Sequence, residues 1–183
     1  MSKIALTPNA SGTGTLTIAA PNTSTDRTLT LPDSTGTIDT LGRAGNVLQV
    51  VAMTTTTQTS TTSISTYSNT AMTANITPSS SSNKILIFYS APIRKNSGNA
   101  ATGAQLRIAR DSSTYFGQQR YVGWNNNSSM YGQETASLYY LDSPSTTSQV
   151  NYTIQIASSV DGQNVNVGHD NSEQSLVLME IAA

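Results

Sequence analysis

The side chains best suited to recognise a ligand are aromatics and amides gathered in one stretch: Tyr115-Phe116, then Tyr121-Val122-Gly123-Trp124-Asn125-Asn126-Asn127, then Tyr131. Sugar rings present C–H faces that stack on aromatic rings, and amides bridge their hydroxyls. Tyr121, Trp124, Asn125, Asn126 and Tyr131 are therefore a candidate glycan or partner contact. The same residues also suit a strand whose aromatics pack in the core or at a subunit seam, joined by an Asn-rich turn that tolerates left-handed backbone angles. Catalysis has far less to work with. His169 is the single histidine, with Asp161 and Asp170 near it in sequence, and a metal site needs three or four converging ligands where no second His and no Cys exists. It reads as a loop residue following a strand at 164–167. There is no Gly-x-Ser-x-Gly elbow, and a Ser-His-Asp triad would have to use this same His169. Glu134, Glu173 and Glu180, with seven Asp, could supply a glycosidase pair only if two carboxyls lay roughly 5 to 9 Å apart. No phosphate-cradling glycine loop or dinucleotide fingerprint is present. The expectation is a protein with no enzymatic activity, no metal and no cofactor.

The elements that must carry these residues fall into two regions, with the boundary near Leu41-Gly42-Arg43-Ala44-Gly45-Asn46: an arm, 1–46, and a head, 47–183. The arm alternates short apolar pairs with turn signals, and Leu16, Ile18, Leu29, Leu31 and Ile38 are its candidate attachment residues. Strands this thin bury too little to offset an ordering cost on the order of 1 kcal/mol or more per residue, so the arm is either disordered or ordered by neighbouring chains, the second being the preferred reading. In the head, strands are expected at 47–53, 71–76, 84–91, 104–110, 114–122, 135–141, 149–157, 164–167 and 176–182, with 54–65 as a solvated edge or loop. Leu106 and Ile108 alternate with Arg107, and Val150, Tyr152, Ile154 and Ile156 alternate with Asn151, Thr153 and Gln155, the period of strands with one buried and one wet face. Tyr139 and Tyr140 face opposite sides of their strand, one toward the core and one toward a seam or the surface. The runs 84–91 and 176–181 are apolar on both faces, as in central strands covered by a partner sheet and by a neighbouring subunit. That pattern implies an oligomer.

Composition agrees. Only 10% of the 183 residues are charged, while Thr (28), Ser (26) and Asn (15) dominate. Ser, Thr and Asn compete with helical hydrogen bonds, and β-branched Thr suits a half-solvated strand, so the fold class is all-β, an antiparallel β-sandwich. A net charge of −1 without a basic run leaves no electrostatic footprint for nucleic acid. No stretch approaches the roughly 20 apolar residues of a membrane span, and the N-terminus lacks a signal-peptide core, which points to synthesis in a cytoplasm.

The segment Gly12-Thr13-Gly14-Thr15-Leu16-Thr17-Ile18-Ala19-Ala20-Pro21-Asn22-Thr23, followed by Arg27-Thr28-Leu29-Thr30-Leu31-Pro32-Asp33-Ser34-Thr35-Gly36-Thr37-Ile38, resembles the N-terminal segment of tail-fibre and virion-surface proteins of tailed phages, cyanophages among them. The head resembles, more loosely, the trimeric jelly-roll knobs of short phage fibres and of capsid-decorating cement proteins. The resemblance implies a homotrimeric, jelly-roll-like head with an extended N-terminal β-arm, located on the virion surface. Its implied partners are itself and the major capsid protein or other virion proteins. Small size and the thin arm place capsid cement first; the alternative is a short tail fibre that recognises a host surface polysaccharide.

Overall fold

The computed structural model describes residues 10–15, 17, 19, 22–26, 28, 43–96, 98 and 100–183. The chain divides into two units, Met1–Thr37 and Ile38–Ala183. The described residues of the first unit are exposed and irregular. Leu16, Ile18, Leu29, Leu31 and Ile38, the candidate attachment residues, lie outside the described residues.

The second unit is all-β. Its strands are β1 (Val47–Thr55), β2 (Thr59–Thr61), β3 (Ser68–Ile76), β4 (Lys84–Lys95), β5 (Thr102–Arg110), β6 (Thr114–Asn125), β7 (Gly132–Asp142), β8 (Val150–Ser158), β9 (Val165–Val167) and β10 (Gln174–Ile181). A 3₁₀ turn, His169–Asn171, separates β9 from β10. One sheet runs β1-β10-β4, with β7 on the far side of β4 and the short β9 and β2 beyond the end of β10; the other runs β3-β8-β5-β6. The antiparallel pairs β1/β10, β3/β8, β4/β7 and β5/β6 match each early strand with its mirror-image late strand. The chain thus doubles back as one long ribbon wound into two sheets, the double Greek key of a jelly roll.

Alternation decides what the sandwich buries. Leu106, Ile108, Tyr152, Ile154 and Ile156 from one sheet meet Ile87, Ile93, Leu176 and Leu178 from the other, all fully buried. Each such side chain contributes about 1.5–3 kcal/mol relative to exposure. The expected wet face of β8 is covered rather than open. Thr153 and Gln155 are buried because side chains of the adjacent strands bond over them, Thr73 Oγ1 to Thr153 Oγ1 at 2.9 Å and Gln155 Nε2 to Asn69 Oδ1 at 2.7 Å. At the sandwich end, Arg110 Nη1 donates to both Asp142 oxygens (2.8 and 2.7 Å) and the Tyr152 hydroxyl donates to Asp142 Oδ2 (2.6 Å), tying β5, β7 and β8. Burial works against the Arg110 charge, but the hydrogen bond and charge of Asp142 outweigh it and raise the pKa. Burial, with Asp142 beside it, pushes the Tyr152 hydroxyl far above its ordinary range.

Two strands run further than the sequence pattern suggests. β4 continues past Ala91 through Pro92 to Lys95. The Pro92 carbonyl accepts from Gly168 N (3.2 Å), and a residue's N and C=O point to the same side of a strand. The missing Pro donor therefore falls in the gap between the end of β10 at Ser90 and the start of β9 at Ile93, where no ladder bond is lost. β6 continues to Asn125, through Gly123 and Trp124.

Candidate functional site

β6 owes its length to bulges. The pairs Ile108↔Phe116, Leu106↔Gln119, Ala104↔Val122 and Thr102↔Asn125 set three β6 residues against every two of β5, so one extra residue enters at each step. Gly117, Tyr121 and Gly123 take positive φ at these steps (61°, 61° and 65°). Gly123 does so without strain; Tyr121, with a Cβ, does not. The bulges also bring β6 against β7. Gln119 Nε2 donates to Ser137 O (2.8 Å) and Gly123 N to Glu134 Oε2 (2.8 Å). A Cβ on Gly132 would stand 2.2 Å from Gly123 O, so this approach requires glycine.

The five candidate contact residues lie on β6 and the loop leading to β7. Tyr121 and Trp124 come together at the surface, ring centroids 5.3 Å apart and nearly perpendicular. They are 55% and 43% exposed, so neither belongs to the core of the chain. Trp124 Nε1 donates to Asn126 Oδ1 (2.5 Å), which fixes the indole. Asn125 is committed to the loop, its Nδ2 donating to Tyr131 O (3.3 Å) and its Oδ1 accepting from Asn127 N (2.7 Å). Tyr131 packs its ring under the Arg94 guanidinium at 4.9 Å. The structure therefore makes Tyr121, Trp124 and Asn126 one platform and turns Asn125 and Tyr131 to holding the loop.

Lys95 is a residue that the strand pattern hides. It is fully buried at the end of β4, and its Nζ donates to Asn127 O (2.7 Å) and Met130 O (3.2 Å), pinning the loop from below. Only its place as an extra residue beyond an apolar strand could have marked it.

The other candidates have structural partners. His169 Nδ1 lies 3.3 Å from Asp170 Oδ2, which pairs with Arg94 Nη1 at 2.8 Å, whereas Asp161 accepts from Ile64 N at 3.4 Å. Among the described residues no group of three His, Cys, Asp or Glu could hold a metal. Glu134 pairs opposite Ile93 and Glu180 opposite Ile85, eight residues apart along β4 and so roughly 26 Å apart, beyond any glycosidase pair. Glu180 is buried and accepts from Asn83 Nδ2 (2.6 Å), Ser79 N (2.6 Å), Ser79 Oγ (2.8 Å) and Gln49 Nε2 (2.6 Å). Burial alone would raise its pKa, but these donors together lower it to about 2.

The outer face of the β1-β10-β4-β7 sheet carries a second feature. Register places Val50, Met179, Leu86 and Leu141 in one row across the four strands, and Ala52, Val177, Phe88 and Tyr139 in the next. A third row is Thr54, Ser175, Ser90 and Ser137. None of the twelve positions is charged, and Val50, Phe88, Tyr139 and Leu141 are exposed. Tyr140 points inward yet stays 39% exposed, stacked on Phe116 at 4.3 Å at the sandwich edge. The expectation of one core tyrosine is thus corrected: neither is buried, because the neighbouring position inside is already filled by Phe116.

Fold and surfaces together define an all-β jelly-roll sandwich with one apolar outer face and one aromatic platform. No protein-family model matches the chain, and no curated protein matches it. Solved structures similar to it include infectious bursal disease virus, Gx strain (13% identity, 74% of this chain and 37% of that chain, TM-score 0.38), and the VP2 subviral particle of the same virus (12%, 75% and 39%, TM-score 0.40). Another is dimeric latent PorU from Porphyromonas gingivalis (13%, 77% and 13%, TM-score 0.36). The chain spans less than two fifths of the length of each of them. TM-scores this low define neither a shared family nor a shared function.

Proposed function

We propose that this chain is a non-enzymatic structural protein of a tailed-phage particle, a capsid cement protein whose heads associate as a homotrimer and whose N-terminal arm attaches to the shell. The observation that carries this reading is the uncharged, partly exposed outer face built by β1, β10, β4 and β7. Contiguous apolar surface of this kind marks an interaction site. Identical copies can share it because no like charges meet across it. The phage assignment rests on the resemblance of the arm sequence. Light scattering on the purified protein should give three times the chain mass. Phe88→Glu with Leu141→Glu should give a folded monomer, and a wild-type chain that stays monomeric at micromolar concentration would remove the basis for assembly through this face. Particles lacking the protein should leak DNA on heating or osmotic shock.

The Tyr121 and Trp124 platform supports a second reading, a short tail fibre that recognises a host surface polysaccharide. Tyr121→Ala with Trp124→Ala separates the two. Cement predicts unchanged adsorption to the host, and a fibre predicts its collapse with particle integrity intact.

A further inference from the structure

We infer that an open cleft on the outer face of the β3-β8-β5-β6 sheet binds an acidic saccharide, with Arg107 and Arg120 holding a carboxylate of the sugar. The inference deepens the polysaccharide reading by adding a charged site beside the Trp124 platform, with Tyr121 lining both. The cleft has a volume of about 470 Å³ and is lined by Ile64, Tyr67, Gln105, Arg107, Gln118, Arg120, Tyr121 and Ser159. That volume lies within the range of small-ligand sites.

Arg107 is held before any ligand arrives. Its guanidinium lies between the rings of Tyr67, at 3.9 Å, and Tyr115, at 3.7 Å. Its Nε donates to Gln155 Oε1 at 2.7 Å, and Gln155 is fixed in turn by Asn69. With both faces covered and Nε committed, the two Nη groups remain, and they have no partner among the described residues. That edge is the planar fork that matches a carboxylate, its orienting entropy already spent. Arg120, exposed on β6, likewise has no hydrogen-bond or ion-pair partner among the described residues. No Asp or Glu lines the cleft, so the two positive charges are uncompensated within it. Arg120 also borders an adjoining cleft containing Glu134, but Glu134 is bonded to Gly123 N and forms no ion pair with it.

The remaining walls suit a sugar. Tyr121 presents an exposed ring from a backbone conformation that a residue with a Cβ adopts only when its surroundings impose it. Gln118 donates to the Tyr67 hydroxyl through Nε2, which leaves its Oε1 to accept from a ligand hydroxyl. Two cations in a chain of net charge −1 are too few for nucleic acid, whose affinity rests on many phosphate contacts.

The test is calorimetric titration of the full chain with trigalacturonate, with the same trisaccharide after its carboxyls are reduced to alcohols, and with triglutamate. Trigalacturonate should bind, the reduced sugar and the peptide at least about tenfold more weakly. Arg120→Gln, at an exposed side chain with no partner to lose, should weaken trigalacturonate binding about tenfold, and Arg107→Lys, which loses the fork, by at least as much. Equal binding of the reduced trisaccharide would overturn the carboxylate site while leaving a neutral polysaccharide reading in place. No binding at millimolar trigalacturonate, equal binding of triglutamate, or an Arg120→Gln protein that binds like wild type would each overturn it outright.

Discussion

At the scale of the residue, Glu180 shows how a carboxylate can be functional only in holding the fold. Three hydrogen bonds from Asn83 and Ser79 fix the connection between β3 and β4 onto β10, and a fourth from Gln49 ties in β1. Its pKa is about 2 in the folded chain against 4.5 as the ordinary value. A depressed carboxylate stabilises the fold above the unfolded pKa, and that stability is lost as pH falls from 4.5 toward 2; the difference is about 3 kcal/mol. Urea denaturation of wild type and Glu180→Gln should therefore differ by that order at pH 7 and converge near pH 2. A gap that persists unchanged at pH 2 would show that Glu180 acts by packing alone. Lys95 is the counterpart for the loop. Lys95→Met should remove the ammonium donor from both carbonyls, leaving Asn127 O only its bond from Met130 N, costing about 1 kcal/mol and speeding amide exchange in residues 126–131 while β8 stays protected. Neither role was legible in the sequence, since Gln49 and Glu180 meet across 131 residues and a single Lys after an apolar run reads as a strand end.

At the scale of the element, the strands with clean alternation were legible: Leu106, Ile108, Tyr152, Ile154 and Ile156 mark β5 and β8 and are buried as the pattern requires, while the polar positions between them are covered by neighbouring side chains the pattern does not show. Where reading failed, local turn chemistry spoke against a tertiary arrangement. Pro92 looks like a strand end but sits where a donor is not needed, and Gly123-Trp124-Asn125 looks like a turn but continues β6 as a bulged strand. The bulges could not be foreseen, because an extra residue is defined only against the partner strand. Of the candidate site, the aromatics were legible as types but not as a pair: the bulge at Tyr121 is what brings it to Trp124. Gly132→Ala tests this coupling. Its Cβ would collide with Gly123 O, so the variant should lose about 1–3 kcal/mol and separate β6 from β7, seen as a change in Trp124 fluorescence. Unchanged stability and fluorescence would mean that the two strands are not held together here.

At the scale of the whole molecule, the two units, Met1–Thr37 and Ile38–Ala183, have different tasks in the proposed assembly: attachment falls to the arm and self-association to the outer sheet face. A chain beginning at Gly42 should keep its β circular dichroism and, on the proposed reading, form the trimer without attaching to the phage particle; loss of the β signal would assign the arm to the core. Assembly through the twelve uncharged positions should also depend only weakly on salt between 0.05 and about 1 M, since no charge lies among them for ions to screen. Sedimentation across that range checks it, and dissociation at high salt would point to contacts elsewhere. The seam between β6 and β7 bears on the protein's fate before assembly. An unassembled chain can meet other copies of itself, and a flat, open strand edge would template fibrous cross-β stacking. The successive bulges of β6 break the straight row of backbone donors and acceptors that stacking requires, and Glu134 occupies the Gly123 N–H. In the proposed assembly, self-recognition then falls to a sheet face, which can close into a finite ring, instead of an edge, which can grow without limit.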